Sequence, residues 1–254
     1  MRTVARISVS PVKGFRLNHP DSVELGPDGV PGNRRFFVVD ENGDRLRGSK
    51  TPWFALVTAA YDVEAEELTL GFPDGTVARA GALGNGPVVA CRNGTLAIDG
   101  QIVEGPWTEP LSQLAGHPVR LARADSDRAV AIAAATIVSD GSLARFAAEA
   151  GVDELDSRRF RMLFELAGCH AHEEDAWEGK LLRVGDAVVR AGGPVDRCAV
   201  TTRDPATAER DVDALRVLRE YRGQRPSDGA VLFGVYAHVE TPGTVRVGDA
   251  VELV

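Results

Sequence analysis

The sequence predicts a β-rich α+β fold with a few helices. Short segments of β-forming residues are separated throughout by turns rich in glycine, proline and acidic residues. Apolar residues recur at helical spacing in only a few places. With 254 residues, 44% of them hydrophobic, the chain is long enough for one large β-rich domain or two smaller ones.

The first half is predicted to form a meander or a small barrel. Residues 4–12 alternate as a strand and end at Pro11-Val-Lys-Gly14, a turn that presents Lys13. The Asn-Gly pair in Glu41-Asn-Gly-Asp44 predicts a tight hairpin between residues 36–40 and a strand from Leu46 onward. Further strands are predicted at residues 21–25, 54–62, 67–72, 76–79 and 119–122.

The second half adds the clearest helical patterns. A helix is predicted from Ser139, a typical N-cap, to Gly151, a typical C-terminal glycine. Shorter helices are predicted at residues 110–116 and 212–223, and strands at 232–240 and 244–254. The charged link Arg123-Ala-Asp-Ser-Asp-Arg128 predicts a boundary that gives domains 1–122 and 123–254.

Composition excludes several classes of protein. The net charge of −8 argues against a nucleic-acid partner, and no apolar run reaches the ~20 residues of a membrane-spanning helix, so we expect neither nucleic acid nor membrane as a partner. The N-terminus lacks a secretory signal pattern, which predicts a cytoplasmic protein. Three widely spaced cysteines argue against a disulfide framework, a structural zinc site or an iron–sulfur cluster in this chain.

One of these cysteines, Cys198, lies in the stretch Gly193-Pro-Val-Asp-Arg-Cys-Ala-Val-Thr-Thr-Arg-Asp-Pro205. Gly193-Pro194 is predicted to end a strand, and residues 199–202 to begin the next one. Arg197 and Arg203 flank the thiol and would favour its thiolate form. Taken alone, a single cysteine in a β-rich protein is more often a small buried apolar residue than a ligand.

The order of the motifs resembles the MOSC domain family. The motifs of the second half are Ser157-Arg-Arg-Phe-Arg161, Glu174-Asp-Ala-Trp177, Arg183-Val-Gly-Asp186, Arg197-Cys198, Thr201-Thr-Arg-Asp-Pro205, Leu232-Phe-Gly-Val-Tyr236 and Pro242-Gly-Thr-Val-Arg-Val-Gly-Asp249. Those of the first half are Ser10-Pro-Val-Lys-Gly14, Gly32-Asn-Arg-Arg-Phe36 and Val39-Asp-Glu-Asn-Gly-Asp44, which look like the MOSC N-terminal β-barrel domain. The resemblance covers nearly the whole chain and implies an N-terminal β-barrel-like domain packed on a MOSC β-barrel. Within this family the chain resembles the amidoxime-reducing components.

This resemblance implies a site for the molybdenum cofactor, Mo-molybdopterin. Cys198 would be the catalytic cysteine and would ligate molybdenum, since a thiolate is a suitable soft donor. The residues implied to hold the cofactor's phosphate or pterin are Lys13, Arg35, Ser139, Arg161 and Arg197. Arg34 and Arg47 are expected on a solvated face, and the two other cysteines, Cys91 and Cys169, are expected to be buried away from the site.

Two positions depart from the amidoxime-reducer pattern. Gly14 stands where those proteins have serine, and Leu163 stands where they have a cofactor-binding asparagine. Loss of one amide partner would cost ~1–3 kcal/mol if a polar cofactor atom were left unsatisfied.

The leading functional hypothesis is a molybdenum-cofactor oxidoreductase that reduces N-hydroxylated or other N–O compounds, which are small-molecule substrates. No G-x-G-x-x-G follows a strand, so electrons would come from a separate flavin or iron–sulfur protein. The alternative is a cofactor or sulfur carrier that uses a persulfide on Cys198 without redox turnover of its own. A third possibility is a divergent binding domain that has lost the cofactor.

Overall fold

The computed structural model describes residues 1–93, 96–126 and 131–254, and a closed seven-stranded barrel dominates the described C-terminal part. The barrel order is β1 (Arg2–Ile7), β11 (Phe164–Ala167), β10 (Ala135–Ser139), β14 (Leu232–Thr241), β13 (Ala187–Asp196), β12 (Leu181–Val184) and β16 (Ala250–Leu253). Buried side chains such as Ile7, Phe164 and Val235 fill its core. β10 and β11 are parallel, and the other neighbouring strands of the barrel that pair in register are antiparallel.

The N-terminal part is built from two antiparallel sheets. One sheet has the order β3 (Phe36–Asp40), β9 (Val119–Ala124), β8 (Leu96–Ile102) and β7 (Val88–Asn93), and the other β4 (Thr58–Asp62), β5 (Glu67–Gly71) and β6 (Val77–Gly81). Phe36 and Leu121 from the first sheet pack with Leu68 and Leu70 from the second, and Trp107 closes this core. The predicted β-rich fold with a barrel-like N-terminal unit is confirmed.

The two parts share chain segments. β1 lies in the C-terminal barrel, where Thr3 is opposite Ala167, and β2 (Ser22–Leu25) pairs with β15 (Gly243–Arg246). The division at residues 122 and 123 stays a prediction, and residues 127 and 128 of the predicted link lie outside the described residues.

Three α-helices occur in the described ranges, at the predicted places. They are α1 (Thr108–Ala115), α2 (Asp140–Ala150) and α3 (Ala214–Arg222). Ser139 caps α2 by accepting from the Ser142 N–H at 3.1 Å, and Gly151 ends it in the left-handed conformation. Within these ranges, none of the helices combines the length and apolar composition needed to span a membrane.

Several local strand predictions differ from the structure. The strand predicted at residues 54–62 begins only at Thr58, because Pro52–Leu56 forms a 3₁₀ turn, and the strand predicted at residues 4–12 ends at Ile7. Two further differences concern the approach to the site. Glu41-Asn-Gly-Asp44 does turn the chain, but the return is short: Arg45 bridges Val39, and the Leu46 N–H donates to the Val38 carbonyl at 2.8 Å, while β9 pairs with the other edge of β3. Beyond Leu46, residues 48–50 form a turn instead of continuing the strand.

The second of these differences concerns the cysteine segment. Gly193-Pro194 does not end a strand, since β13 continues to Asp196 with irregular register around Pro194, where no N–H is available for the ladder. Ala199–Thr202 forms a 3₁₀ turn rather than a strand. Cys198 therefore follows the end of a strand instead of starting one.

Candidate functional site

A cleft of about 390 Å³ opens where the N-terminal sheets meet the barrel. Its volume falls within the range of small-molecule sites. Side chains from both halves of the chain line it. Its lining includes Lys13, Arg34, Arg45, Arg47, Ile132, Phe160, Arg161, Met162, Val195, Asp196, Arg197, Cys198 and Tyr236.

Cys198 lies on this cleft and is exposed. It is the N-cap residue of the 3₁₀ turn, and its carbonyl accepts hydrogen bonds from the Thr201 N–H at 3.1 Å and the Thr201 hydroxyl at 2.9 Å. The Thr202 hydroxyl donates to the Ala199 carbonyl at 2.7 Å. Both threonines therefore satisfy carbonyls of the turn, and this turn holds the thiol at the surface of the cleft.

Lys13 and Arg34 reach the cleft from the N-terminal part. The Lys13 N–H donates to the Phe36 carbonyl at 2.8 Å, and the Arg34 N–H donates to the Ser10 carbonyl at 2.7 Å, which holds the two segments side by side. Arg34 has a φ of 59° and donates from Nη2 to the Arg161 carbonyl at 3.1 Å. The loops that carry these two cations are thus tied to each other and to the barrel.

Arg161 and Arg197 reach the cleft from the barrel part. Arg161 follows a 3₁₀ turn, Ser157–Phe160, in the left-handed conformation and donates from Nη2 to the Phe15 carbonyl at 2.7 Å. Arg197 stacks over the Phe160 ring at 5.3 Å and donates to the Phe160 carbonyl. Its Nε is buried without a hydrogen-bond partner in the described structure.

The three arginines Arg34, Arg161 and Arg197 are not paired with carboxylates in the described part of the chain. Among the described residues, Arg34, Arg161 and Arg197 contact backbone carbonyls, the Met162 thioether and the Phe160 ring, but no carboxylate. Asp196 lies on the cleft, yet it pairs with Arg225 at 3.0 Å. These three arginines therefore concentrate positive charge at the cleft in a protein whose net charge is −8.

Burial and neighbouring positive charges lower the pKa values of basic groups in the site. Burial, together with the neighbouring Arg34, Arg45 and Arg161 cations, lowers the pKa of Lys13 to about 6. Burial likewise lowers the pKa of Arg161 to about 9 and that of Arg197 to about 10, which leaves both guanidinium groups charged at neutral pH. Burial of uncompensated cations is costly, and an anion bound in the cleft would offset that cost.

The structure brings together Lys13, Arg161, Arg197 and Cys198 of the predicted site residues, whose binding roles stay predictions. Arg35 is corrected, because the left-handed conformation of Arg34 turns the Arg34 side chain toward the cleft, while Arg35 lies beside Tyr61 and Glu66. No sequence signal distinguishes these two adjacent arginines.

Ser139 is also corrected. It is fully buried, caps α2, and donates from Oγ to the buried Glu174 carboxylate at 2.6 Å, so the start of α2 is satisfied internally. Arg203, which also lies off the cleft, donates to the Ala208 carbonyl at 2.9 Å. Sequence reasoning missed two groups of cleft residues. The basic ones are Arg34, Arg45 and Arg47, whose side-chain directions depend on backbone conformation and strand pairing. The apolar ones are Ile132, Met162 and Val195.

The two unusual positions have structural explanations. Gly14 has a φ of 95°, and a Cβ there would lie 2.5 Å from Phe54 Cδ2, so serine does not fit this backbone and packing. Leu163 is 3% exposed and belongs to the barrel core, whereas its neighbour Met162 lines the cleft. The leucine therefore does not leave a gap in the cleft lining.

Comparison with known families agrees with this architecture. The MOSC domain matches residues 126–252, and the MOSC N-terminal beta barrel domain matches residues 1–83. The chain therefore belongs to the MOSC domain family, with the N-terminal barrel domain that accompanies it.

Named relatives span most of the chain. The mitochondrial amidoxime-reducing component 1 of Mus musculus is 26% identical over 280 residues, which covers 99% of this chain and 82% of that protein. The molybdenum cofactor sulfurase of Anopheles gambiae is 25% identical over 245 residues, covering 84% of this chain and 31% of that protein. The crystal structure of the YUAD protein from Bacillus subtilis aligns with a TM-score of 0.44 at 15% identity, over 100% of this chain and 97% of that one.

Proposed function

We propose that this protein binds the molybdenum cofactor in the cationic cleft and reduces N-hydroxylated compounds with electrons from a separate reductase. The observation that carries the proposal is the exposed Cys198 thiol on a cleft where Arg34, Arg161 and Arg197 contact no carboxylate among the described residues. The relationship to amidoxime-reducing components supports the same chemistry.

The residues present fit this cofactor. A thiolate from Cys198 is a soft ligand of the kind molybdenum accepts, and planar guanidinium groups suit a phosphate. The buried Nε of Arg197, which has no partner in the described structure, is a donor that a bound anion could satisfy. Lys13, Arg34 and Arg161 would hold the phosphate or pterin, and the cofactor would supply the two-electron redox chemistry.

The remaining cleft residues would orient the substrate. Met162, Val195 and the Phe160 ring provide an apolar surface for its carbon skeleton. Burial raises the pKa of Tyr236, so its phenol stays neutral at the cleft and can donate a hydrogen bond. Overall, cleavage of the N–O bond consumes two electrons and two protons and releases the oxygen as water.

The test is to express the protein in a host that makes the cofactor and to measure molybdenum and pterin content together with benzamidoxime reduction by a chemical electron donor. Cys198→Ser should lose metal and activity to background. Cys169→Ser, at a half-buried cysteine off the cleft, is the matched control and should retain both. Equal metal content and activity in the two variants would contradict the proposal.

One other outcome would favour a carrier function. If the purified wild type holds cyanide-releasable sulfur on Cys198 and no pterin, the protein is a sulfur carrier rather than a reductase.

A further inference from the structure

The cleft contains more positive charge than one phosphate needs. Six basic side chains line it, namely Lys13, Arg34, Arg45, Arg47, Arg161 and Arg197, and five of them are cationic at neutral pH, since the pKa of Lys13 is lowered to about 6. A phosphate monoester carries at most two negative charges, and two or three charge-assisted partners are enough to bind it. The exposed side chain of Arg47 is not needed for that phosphate.

The six basic side chains fall into two groups by position. One group belongs to the segments that are hydrogen-bonded to each other beside Cys198 and consists of Lys13, Arg34, Arg161 and Arg197. The three arginines of this group donate to backbone carbonyls of those segments. Arg45 and Arg47 come from the segment that leaves the N-terminal sheet after β3. We call Arg45 and Arg47 the outer pair.

The outer pair is held close to the cysteine by backbone packing. A methyl group placed on Gly48 would lie 3.4 Å from Val200 Cγ2, in the turn after Cys198, and 4.0 Å from Gly14 Cα. The turn that follows Arg47 is closed by a hydrogen bond from the Lys50 N–H to the Arg47 carbonyl at 2.8 Å. Arg47 is therefore placed at the cleft by a packed turn, although its side chain is exposed.

The Arg47 side chain makes no hydrogen bond or ion pair with any described residue, and it lies where two depressions meet. The outer pair lines both the cleft and a neighbouring groove of about 450 Å³ whose other charged or aromatic lining residues are Asp40, Asp44, Lys50, Trp53 and His117, so the anion is placed at Arg47, on the cleft side of the two carboxylates. A substrate whose reacting group lies near Cys198 and whose other end extends toward this groove would pass the outer pair.

We infer that the outer pair is a substrate-specificity element: this site selects substrates that carry a negatively charged group, such as a carboxylate, and Arg47 binds that group. The inference rests on the proposed reductase function. The apolar lining, with Met162, Val195 and Ile132, would contact the carbon skeleton between the N-hydroxyl group and the anion. A guanidinium binds a carboxylate through paired N–H donors, which gives the selection a geometric basis.

The experiment compares three benzamidoximes that differ only at the para position: a carboxylate, a neutral carboxamide of similar shape, and a cationic aminomethyl group. For each one, kcat/KM is measured with a chemical electron donor, and equilibrium binding is measured by calorimetry. The wild type should prefer the carboxylate over the carboxamide by about three- to tenfold, with the aminomethyl compound last. The preference should shrink as ionic strength rises.

Arg47→Gln should lower kcat/KM for the carboxylate toward the value for the carboxamide, so that the ratio between the two substrates approaches one. Arg219→Gln is the matched control. Arg219 is an exposed arginine on α3 that lies off the cleft, and its substitution changes the net charge by the same amount. It should keep the preference.

The outcomes separate this inference from the proposed function. Turnover of all three compounds at equal kcat/KM overturns the inference and leaves the reductase proposal standing. If none is turned over, the reductase proposal fails, and the calorimetric comparison of carboxylate with carboxamide still decides whether Arg47 selects an anion. A fall in the molybdenum or pterin content of Arg47→Gln would also overturn the inference, because Arg47 would then belong to the cofactor site.

Discussion

Arg159 lies in a 3₁₀ turn and Arg161 directly follows that turn, yet the guanidinium of Arg159 has a carboxylate partner and that of Arg161 does not among the described residues. Arg159 is 3% exposed and binds Asp211 through two hydrogen bonds of 2.9 and 2.6 Å. The Arg161 side chain lines the cleft, and among the described residues its guanidinium donates a hydrogen bond only to the Phe15 carbonyl. One guanidinium is neutralised within the fold, and the other retains its charge at the cleft.

The comparison shows how a buried cation acquires its role. Arg159 also donates to the Thr201 carbonyl at 3.3 Å, so its ion pair supports the turn that carries Cys198. The Arg161 cation, in contrast, lowers the pKa of Lys13 along with burial and other cations. The paired arginine supports the structure of the site, and the unpaired one makes it attractive to anions.

The largest expected effect is on stability at Arg159. Arg159→Gln leaves Asp211 without its partner and removes a buried ion pair, which costs about 3–5 kcal/mol when both groups are buried. Because the Asp211 side chain is 35% exposed, we expect a loss of about 2–3 kcal/mol in the free energy of unfolding. Urea denaturation at neutral pH measures this change, and an unchanged midpoint with an unchanged slope would contradict the proposed role.

The next effect concerns Lys13 and pH. Its folded-state pKa of about 6 lies below the ordinary value of 10.5, so between these values the unfolded chain binds a proton that the folded chain does not. The cost of burying the charged lysine is therefore fully present below pH 6 and disappears as pH rises toward 10.5. We expect the free energy of unfolding of the cofactor-free protein to gain about 1 kcal/mol per pH unit between pH 6 and 8 from this group.

Lys13→Met isolates this contribution. The variant should be more stable than the wild type at pH 6, and the difference should shrink at pH 8. Denaturant titrations at these two pH values test it, and a difference independent of pH would show that Lys13 titrates normally.

The smallest effect is on anion binding at Arg161. Arg161→Gln should change the free energy of unfolding by less than about 1 kcal/mol, since it removes a buried charge together with one hydrogen bond. It should weaken binding of inorganic pyrophosphate to the cofactor-free protein about tenfold, which corresponds to about 1.4 kcal/mol. Calorimetry should show weaker pyrophosphate binding for Arg161→Gln than for Arg159→Gln. If both variants bind pyrophosphate as tightly as the wild type, the comparison is overturned.

Much of the architecture follows from local sequence signals. Ser139 and Gly151 delimit α2 because a hydroxyl cap and a left-handed glycine satisfy helix ends locally. After the Asn-Gly turn only Arg45 and Leu46 pair with β3, and the long partner of β3 is β9, more than 75 residues away in the sequence. Strand pairing is a long-range choice, and local turn chemistry does not decide it.

The sequence by itself determined the β-rich class, the three helices and the residue types of the site, including Cys198 and Lys13, because these depend on local preferences and on motifs in a recognisable order. Only the tertiary structure decided that Arg34 rather than Arg35 reaches the cleft, that Ser139 caps a helix, and that Arg47 joins the site. The physical reason is that the direction of a side chain depends on backbone conformation and strand pairing. Whether its charge is neutralised depends on which distant segment brings a carboxylate to it.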